Sequence, residues 1–195
     1  RSDVLGAITN CSFNICVAGT HGKTTTSTML AHILRHSGFG CNAFLGGIAS
    51  NYNSNFWSSN NNVCVVEADE YDRSFLKLNP DIAIITAMDA DHLDIYGTAE
   101  NVEQAFIDFS ARIKPSGCLI VKHGLKRNND FKVHDTCTYS VDDDKANIHI
   151  SNLKITNGAY QFDVINNYWV MQDVMLNMGG LHNIENVIAA IAVAK

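Results

Sequence analysis

FNICVAGTHGKTTTS, residues 13–27, decides how the rest of the chain is read. The apolar run Ile15-Cys16-Val17-Ala18 has strand character and stops at Gly19. Thr20, His21, Gly22, Lys23 and three threonines follow. Met29, Leu30, Ile33 and Leu34 then recur at helical spacing. Strand, glycine loop, Lys-Thr and helix is the layout of a phosphate-binding loop. Glycine lets backbone approach phosphate oxygens, and the N–H groups of a helix start favour the anion. Lys23 adds a positive charge for the terminal phosphates, and the Thr24 hydroxyl is placed to ligate Mg²⁺. The commonest form of this loop has a further glycine where Val17 stands, so the string here is the tighter G-x-x-G-K-T.

Outward from that stretch the pattern alternates. A helix is expected to end near Ser37-Gly38, and a strand over Cys41–Leu45 to close at Gly46-Gly47. Asn51–Asn62, rich in Asn and Ser, reads as an exposed loop or ragged hairpin. Val63-Cys64-Val65-Val66 is a buried-type strand ending on Glu67, and Ile82–Thr86 is another, leading into Met88-Asp89-Ala90-Asp91-His92. A helix is predicted over Thr98–Ile113, with Val102, Ala105, Phe106, Phe109 and Ile113 as its apolar stripe, followed by a strand over Cys118–Val121. The fold class is therefore α/β, with a mostly parallel sheet and helices on both faces. From about Thr136, short alternating stretches separated by Asn-Gly and Asn-Asn turns predict a small antiparallel sheet appended to it. A last helix is expected over Ile184–Lys195, with Asn183 as its cap.

The chain has 195 residues, 46% hydrophobic and 17% charged, which suits one domain with a sizeable core. The formal charge of −6 and the lack of a basic stretch argue against a nucleic-acid groove. No apolar run is long enough to span a membrane, and no signal peptide is visible. Six cysteines without a C-x-x-C pair read as reduced thiols of a cytoplasmic protein. Arg1 opens without a methionine, and the last helix is still apolar where the sequence stops. Both ends suggest a domain, residues 1–195, excised from a longer protein.

In open α/β sheets, ligands sit beyond the carboxyl ends of the strands. Three strands here end in chemistry: Lys23 and Thr24; Glu67 to Asp72; and Asp89, Asp91, His92 and Asp94. Mg²⁺ needs oxygen ligands, and Glu67 at a strand end can supply one. His92 is an unusual magnesium ligand, which points to a second ion or a substrate contact. Asp72 and Asp94 read equally as solvated loop charges, and His21, His32 and His36 taken singly as structural or solvated histidines. Asp69, Glu70, Asp89, Asp91 and Asp94 receive no role.

GTHGKTTT, EADEYD and DADHLDIYG, followed by GLHNIEN, resemble the Mur ligases, the ATP-dependent amide-forming enzymes of peptidoglycan synthesis. The resemblance runs from Phe13 to Lys195 and is nearest to the branch that adds L-alanine to UDP-N-acetylmuramate. It implies the central, ATP-binding domain of a three-domain enzyme, with the UDP-sugar and amino-acid domains elsewhere. It also implies roles. Gly19, Thr20, His21, Gly22, Lys23, Thr24 and Thr25 would cradle the nucleotide phosphates. Thr24 and Glu67 would hold one Mg²⁺, and His92 would serve a second. Asn183 and Asn186 would read the adenine, whose donor and acceptor edge suits amide side chains. Catalysis would rest on Lys23, Glu67 and His92. A ligase that joins a tripeptide to the same UDP-sugar, a folylpolyglutamate synthetase-like enzyme and a P-loop regulatory module remain alternatives at this point.

Overall fold

A computed structural model describes residues 2–195, without the side chains of Ser2 and Asp3; Arg1 lies outside the described residues. The chain opens with helix α1 (Ser2–Thr9) and enters strand β1 (Phe13–Ala18). Helix α2 (Lys23–His36) follows, then strands β2 (Asn42–Ala49), β3 (Ser54–Trp57) and β4 (Val63–Glu67). Strand β5 (Ile82–Ile85), the single turn α3 (Leu93–Tyr96) and helix α4 (Ala99–Ser110) come next. Strands β6 (Cys118–Lys122), β7 (Asp135–Ser140), β8 (Ile148–Thr156), β9 (Ala159–Asn166) and β10 (Trp169–Leu176) lead to helix α5 (Leu181–Ala194).

Among the described residues, ten strands form one sheet in the order β10-β9-β8-β7-β6-β5-β1-β4-β2-β3. The pairs from β2 through β4, β1, β5, β6 and β7 to β8 are parallel; β3, β9 and β10 add antiparallel edges. The antiparallel meander is thus not a separate sheet: β8 pairs parallel to β7 through Tyr139–Ile148 and Ser140–His149. β7 itself escapes a sequence reading because Asp135-Thr136-Cys137-Thr138 has little apolar content.

Helices cover both faces. β1 is buried from Asn14 to Ala18, and its alternate residues serve two cores. Ile15 and Val17 pack with Leu30 and Leu34 of α2 and Ile184 and Ile188 of α5. Cys16 and Ala18 pack on the other face with Phe106 and Phe109 of α4 and with Phe75 from a short 3-10 turn. A strand buried on both sides needs a continuous apolar run, which is why residues 15–18 show no polar alternation. The first crossover, through α2, carries the chain from β1 past β4 to β2; the later strands build outward on the β5 side. The carboxyl end of β1 is therefore the point where the strand order reverses, the place where such sheets open a ligand crevice.

Three expected boundaries differ. β2 does not close at Gly46-Gly47 but runs through to Ala49, while its parallel pairing with β4 ends at Phe44–Val66. α4 stops at Ser110, three residues before Ile113. α5 begins at Leu181 with Gly180 as its cap, so Asn183 is its third residue and not the cap. The six cysteines are free thiols, with Cys11 exposed. Burial pushes the Cys41 and Cys137 thiols up to about 11, which keeps them protonated and unreactive at neutral pH.

Phe106 is fully buried and meets Phe75 edge-on at 5.5 Å between ring centroids. Phe106→Ala is expected to lower stability by about 3–5 kcal/mol. Phe39→Ala, at an exposed ring, should change it by no more than about 0.5 kcal/mol. Chemical denaturation midpoints of the two variants check this.

Candidate functional site

The loop after β1 is built by glycine and braced from two sides. Gly19 has φ 135° and Gly22 has φ 82°, both in the region that favours glycine. A Cβ on Gly19 would collide with the Thr86 hydroxyl and come within 2.9 Å of the Ala87 nitrogen. The Thr86 hydroxyl lies against the carbonyl oxygens of Ala18 and His21. The Thr20 N–H donates to the Ala87 carbonyl at 3.2 Å, and the Asp89 N–H donates to Thr20 Oγ1 at 3.1 Å. On the other side, a Cβ on Gly22 would sit 2.5 Å from Asn186 Oδ1 of α5. Gly22 caps α2 without a side-chain hydrogen bond, and the first turn carries no acidic residue. The start of this 14-residue helix thus keeps its amide dipoles for an anion.

Lys23 opens α2, and its ammonium does not float above the loop. Nζ donates to the Gly19 carbonyl at 2.9 Å and to Glu70 Oε1 at 2.9 Å. The Glu70 side chain is 1% exposed. Its backbone carbonyl accepts from the Tyr96 hydroxyl at 2.6 Å, and burial pushes the Tyr96 phenol up to about 12, so this donor keeps its proton. Glu70, which the sequence alone leaves without a role, sits at the centre of this cluster. The chain folds back on itself after the Glu67 strand end, where Arg73 N–H donates to the Glu70 carbonyl at 2.9 Å. That turn aims Glu70 inward, which no local pattern announces.

Thr24 and Glu67, expected together, are together. Thr24 Oγ1 donates to Glu67 Oε1 at 2.8 Å, and the Gly46 N–H donates to Glu67 Oε2 at 2.7 Å. Gly46 is a glycine because a Cβ there would collide with the Glu67 carboxylate, within 2.6 Å of Cδ. Each of the two lines a different groove. One, of about 1010 Å³, is lined by Thr24, Thr25, Met29 and Val187; the other, of about 610 Å³, is lined by Phe44, Gly46, Phe56, Glu67 and Tyr71.

His92 has φ 51° and caps α3. Its Nε2 lies 3.7 Å from Glu70 Oε1 and 3.8 Å from Asp91 Oδ2, and its ring meets Tyr71 edge-on at 5.1 Å. The structure therefore joins Lys23, Glu70 and His92 in one cluster and Thr24 with Glu67 in another. His21 is largely exposed, 3.8 Å from Asp89. Among the described residues no three His, Cys, Asp or Glu side chains converge to hold a metal unaided. A hydroxyl and a carboxylate at hydrogen-bond distance still fit Mg²⁺, which completes its shell with phosphate oxygens and water.

Asn183 and Asn186 are buried, at 8% and 7% exposure. Asn183 Nδ2 donates to the Gly179 carbonyl at 2.6 Å, Asn186 Nδ2 donates to Asn183 Oδ1 at 3.3 Å, and Thr26 Oγ1 donates to Asn186 Oδ1 at 3.2 Å. This ladder ties the start of α5 to α2 directly behind the glycine loop.

Fold and loop together define an α/β domain of the phosphate-loop class. Residues 17–194 match the Mur ligase middle domain, and the chain belongs to that family. It is 44% identical, over its whole length, to the UDP-N-acetylmuramate–L-alanine ligase of Flavobacterium johnsoniae, of which it spans 42%. A solved UDP-N-acetylmuramate-alanine ligase from Thermotoga maritima superposes with a TM-score of 0.81 at 26% identity, covering 98% of this chain and 43% of that one. A MurF ligase from Thermotoga maritima, solved in complex with ADP, shares the fold with a TM-score of 0.74 at 14% identity, over 98% of this chain and 48% of that one.

Gly46→Ala should drive the Glu67 carboxylate off both the Gly46 amide and Thr24. The expected loss is about 1 kcal/mol of stability, the worth of a hydrogen bond to a charged group at a partly exposed site. Gly179→Ala, with nothing within 4 Å of the added carbon, should cost less. Thermal unfolding of the two variants measures the difference.

Proposed function

We propose that this chain is the nucleotide-binding domain of an ATP-dependent ligase that forms the amide between L-alanine and the lactoyl carboxylate of UDP-N-acetylmuramate. The observation that carries the reading is the Thr24–Glu67 pair next to Lys23 at the start of α2. In this reading ATP lies over the Gly19–Thr25 loop, and the groove on the Glu67 and Tyr71 side takes the carboxylate to be activated. The carboxylate attacks the γ-phosphate, ADP leaves, and the acyl phosphate is then opened by the amine of L-alanine with release of phosphate. The 44% identity to an alanine-adding ligase favours this acceptor over a tripeptide.

The residues of this chain contribute charge and position. The α2 start and the amides of the Gly19–Thr25 loop receive the phosphates, and Lys23 neutralises charge at the transferred group. Thr24 and Glu67 would hold one Mg²⁺, and His92 would serve a second. Magnesium bound there would screen the repulsion between carboxylate and triphosphate. Asn183 and Asn186 are the residues assigned to adenine; their present hydrogen bonds brace the loop, so the base would exchange for part of that ladder. The sugar and amino-acid sites are assigned to further domains of the same protein. Free thiols suit a cytoplasmic enzyme, and among the described residues no helix is long and apolar enough to cross a membrane.

Calorimetric titration of the protein with Mg-ATP and with inorganic triphosphate tests the assignments. Lys23→Ala is expected to weaken both ligands by about 10²-fold, the loss of a charge-assisted contact to phosphate. Asn186→Leu should weaken ATP by about tenfold and triphosphate far less, the loss of one or two hydrogen bonds to the base. Undiminished ATP binding by a folded Lys23→Ala variant would contradict the phosphate role.

A further inference from the structure

Glu70 is an acid where an anion is to bind. Its side chain is 1% exposed, Oε1 accepts from Lys23 Nζ at 2.9 Å, and the same oxygen stands 3.7 Å from His92 Nε2. Oε2 is buried and has no hydrogen-bond partner. A buried carboxylate oxygen without a partner is costly, and such groups are kept where something else completes them. Lys23 is also the charge that the nucleotide reading gives to the phosphates. Whatever draws Lys23 away leaves Glu70 with two unmet oxygens beside His92. A second anion close by would then repel it, because charges in a poorly solvated site interact strongly. A divalent cation resolves both problems.

Resting on the nucleotide reading above, we propose that Glu70 makes triphosphate binding conditional on a divalent cation. Without the cation, Glu70 holds Lys23 back against Gly19 and opposes the phosphates. With it, Lys23 passes to the phosphates, and Glu70 with His92 takes the hydrated ion in its place. The Glu70 carboxylate suits a magnesium or manganese ion that keeps several waters, while the His92 imidazole is the less usual donor for either. Glu70 differs here from Glu67. Glu67 already has both oxygens engaged, by Thr24 and Gly46, and does not touch the lysine through any of these bonds.

The experiment measures ATP dissociation constants with excess Mg²⁺ and with excess EDTA, for wild type, Glu70→Gln, Glu70→Asp and Glu67→Gln. Glu70→Gln keeps shape and removes charge, so its affinity in EDTA should rise by about tenfold while its affinity in Mg²⁺ stays level or falls. The preference for the metal complex thereby collapses. Glu70→Asp, which keeps the charge, should retain the preference. Glu67→Gln should lose affinity in Mg²⁺ without gaining any in EDTA, so the gain is the signature of Glu70 alone. Denaturation midpoints confirm that each variant is folded. If Glu70→Gln loses affinity equally in both conditions, or gains none in EDTA, the carboxylate is a structural anchor and the proposal fails while the nucleotide reading stands. If wild type binds ATP in neither condition at millimolar concentration, the nucleotide reading fails and takes this proposal with it.

Discussion

The ion pair between Lys23 and Glu70 ties the loop to the rest of the site. It spans 47 residues of sequence and joins the first turn of α2 to the segment beyond β4. Both partners can meet because β4 lies next to β1, in parallel register from Phe13–Val63 to Val17–Glu67. The register brings the two carboxyl ends level. Lys23 then leaves its strand through a glycine turn, and Glu70 leaves its own through the turn closed by Arg73. A buried ion pair adds little net stability in general, because two charges lose their water. Its value here is placement: the pair fixes where the Lys23 ammonium starts from.

The two cores support that placement. β1 is pinned from both faces, so the loop it feeds cannot shift without disturbing either α2 and α5 or α4. α5 does more than cover the sheet. Asn186 sits under Gly22 and receives the Thr26 hydroxyl, so the last helix of the chain braces the first functional turn. The Thr86 and Asp89 contacts brace the same loop from the β5 side. A loop held on both flanks keeps its amides in a fixed arrangement, which is the condition for electrostatic preorganisation.

The sequence made some of this readable and hid the rest, for physical reasons. Residues 13–27 were legible because each local signal agrees: an apolar run, glycines at the turn, then helical spacing. Thr24 and Glu67 were paired in advance by the family resemblance, and parallel β1 and β4 bring them together: Thr24 lies in the first turn of α2, just beyond β1, and Glu67 is the last residue of β4. Gly46-Gly47 misled because glycine usually ends a strand, whereas Gly46 is small to admit a carboxylate from 21 residues away. Asn183 misled because asparagine favours the cap, yet here it serves a side-chain ladder inside the helix. Glu70 was opaque because EADEYD offers four acids in six residues, and only the tertiary turn decides which one is buried.

The central claim is that this loop exchanges a protein carboxylate for phosphate. A crystal structure of the protein with magnesium and a non-hydrolysable ATP analogue tests it most directly. Lys23 Nζ is expected within hydrogen-bond distance of the terminal phosphates and no longer 2.9 Å from Glu70, with metal density at Thr24 and Glu67. A complex in which the triphosphate lies elsewhere, with the Lys23–Glu70 pair intact, would contradict it.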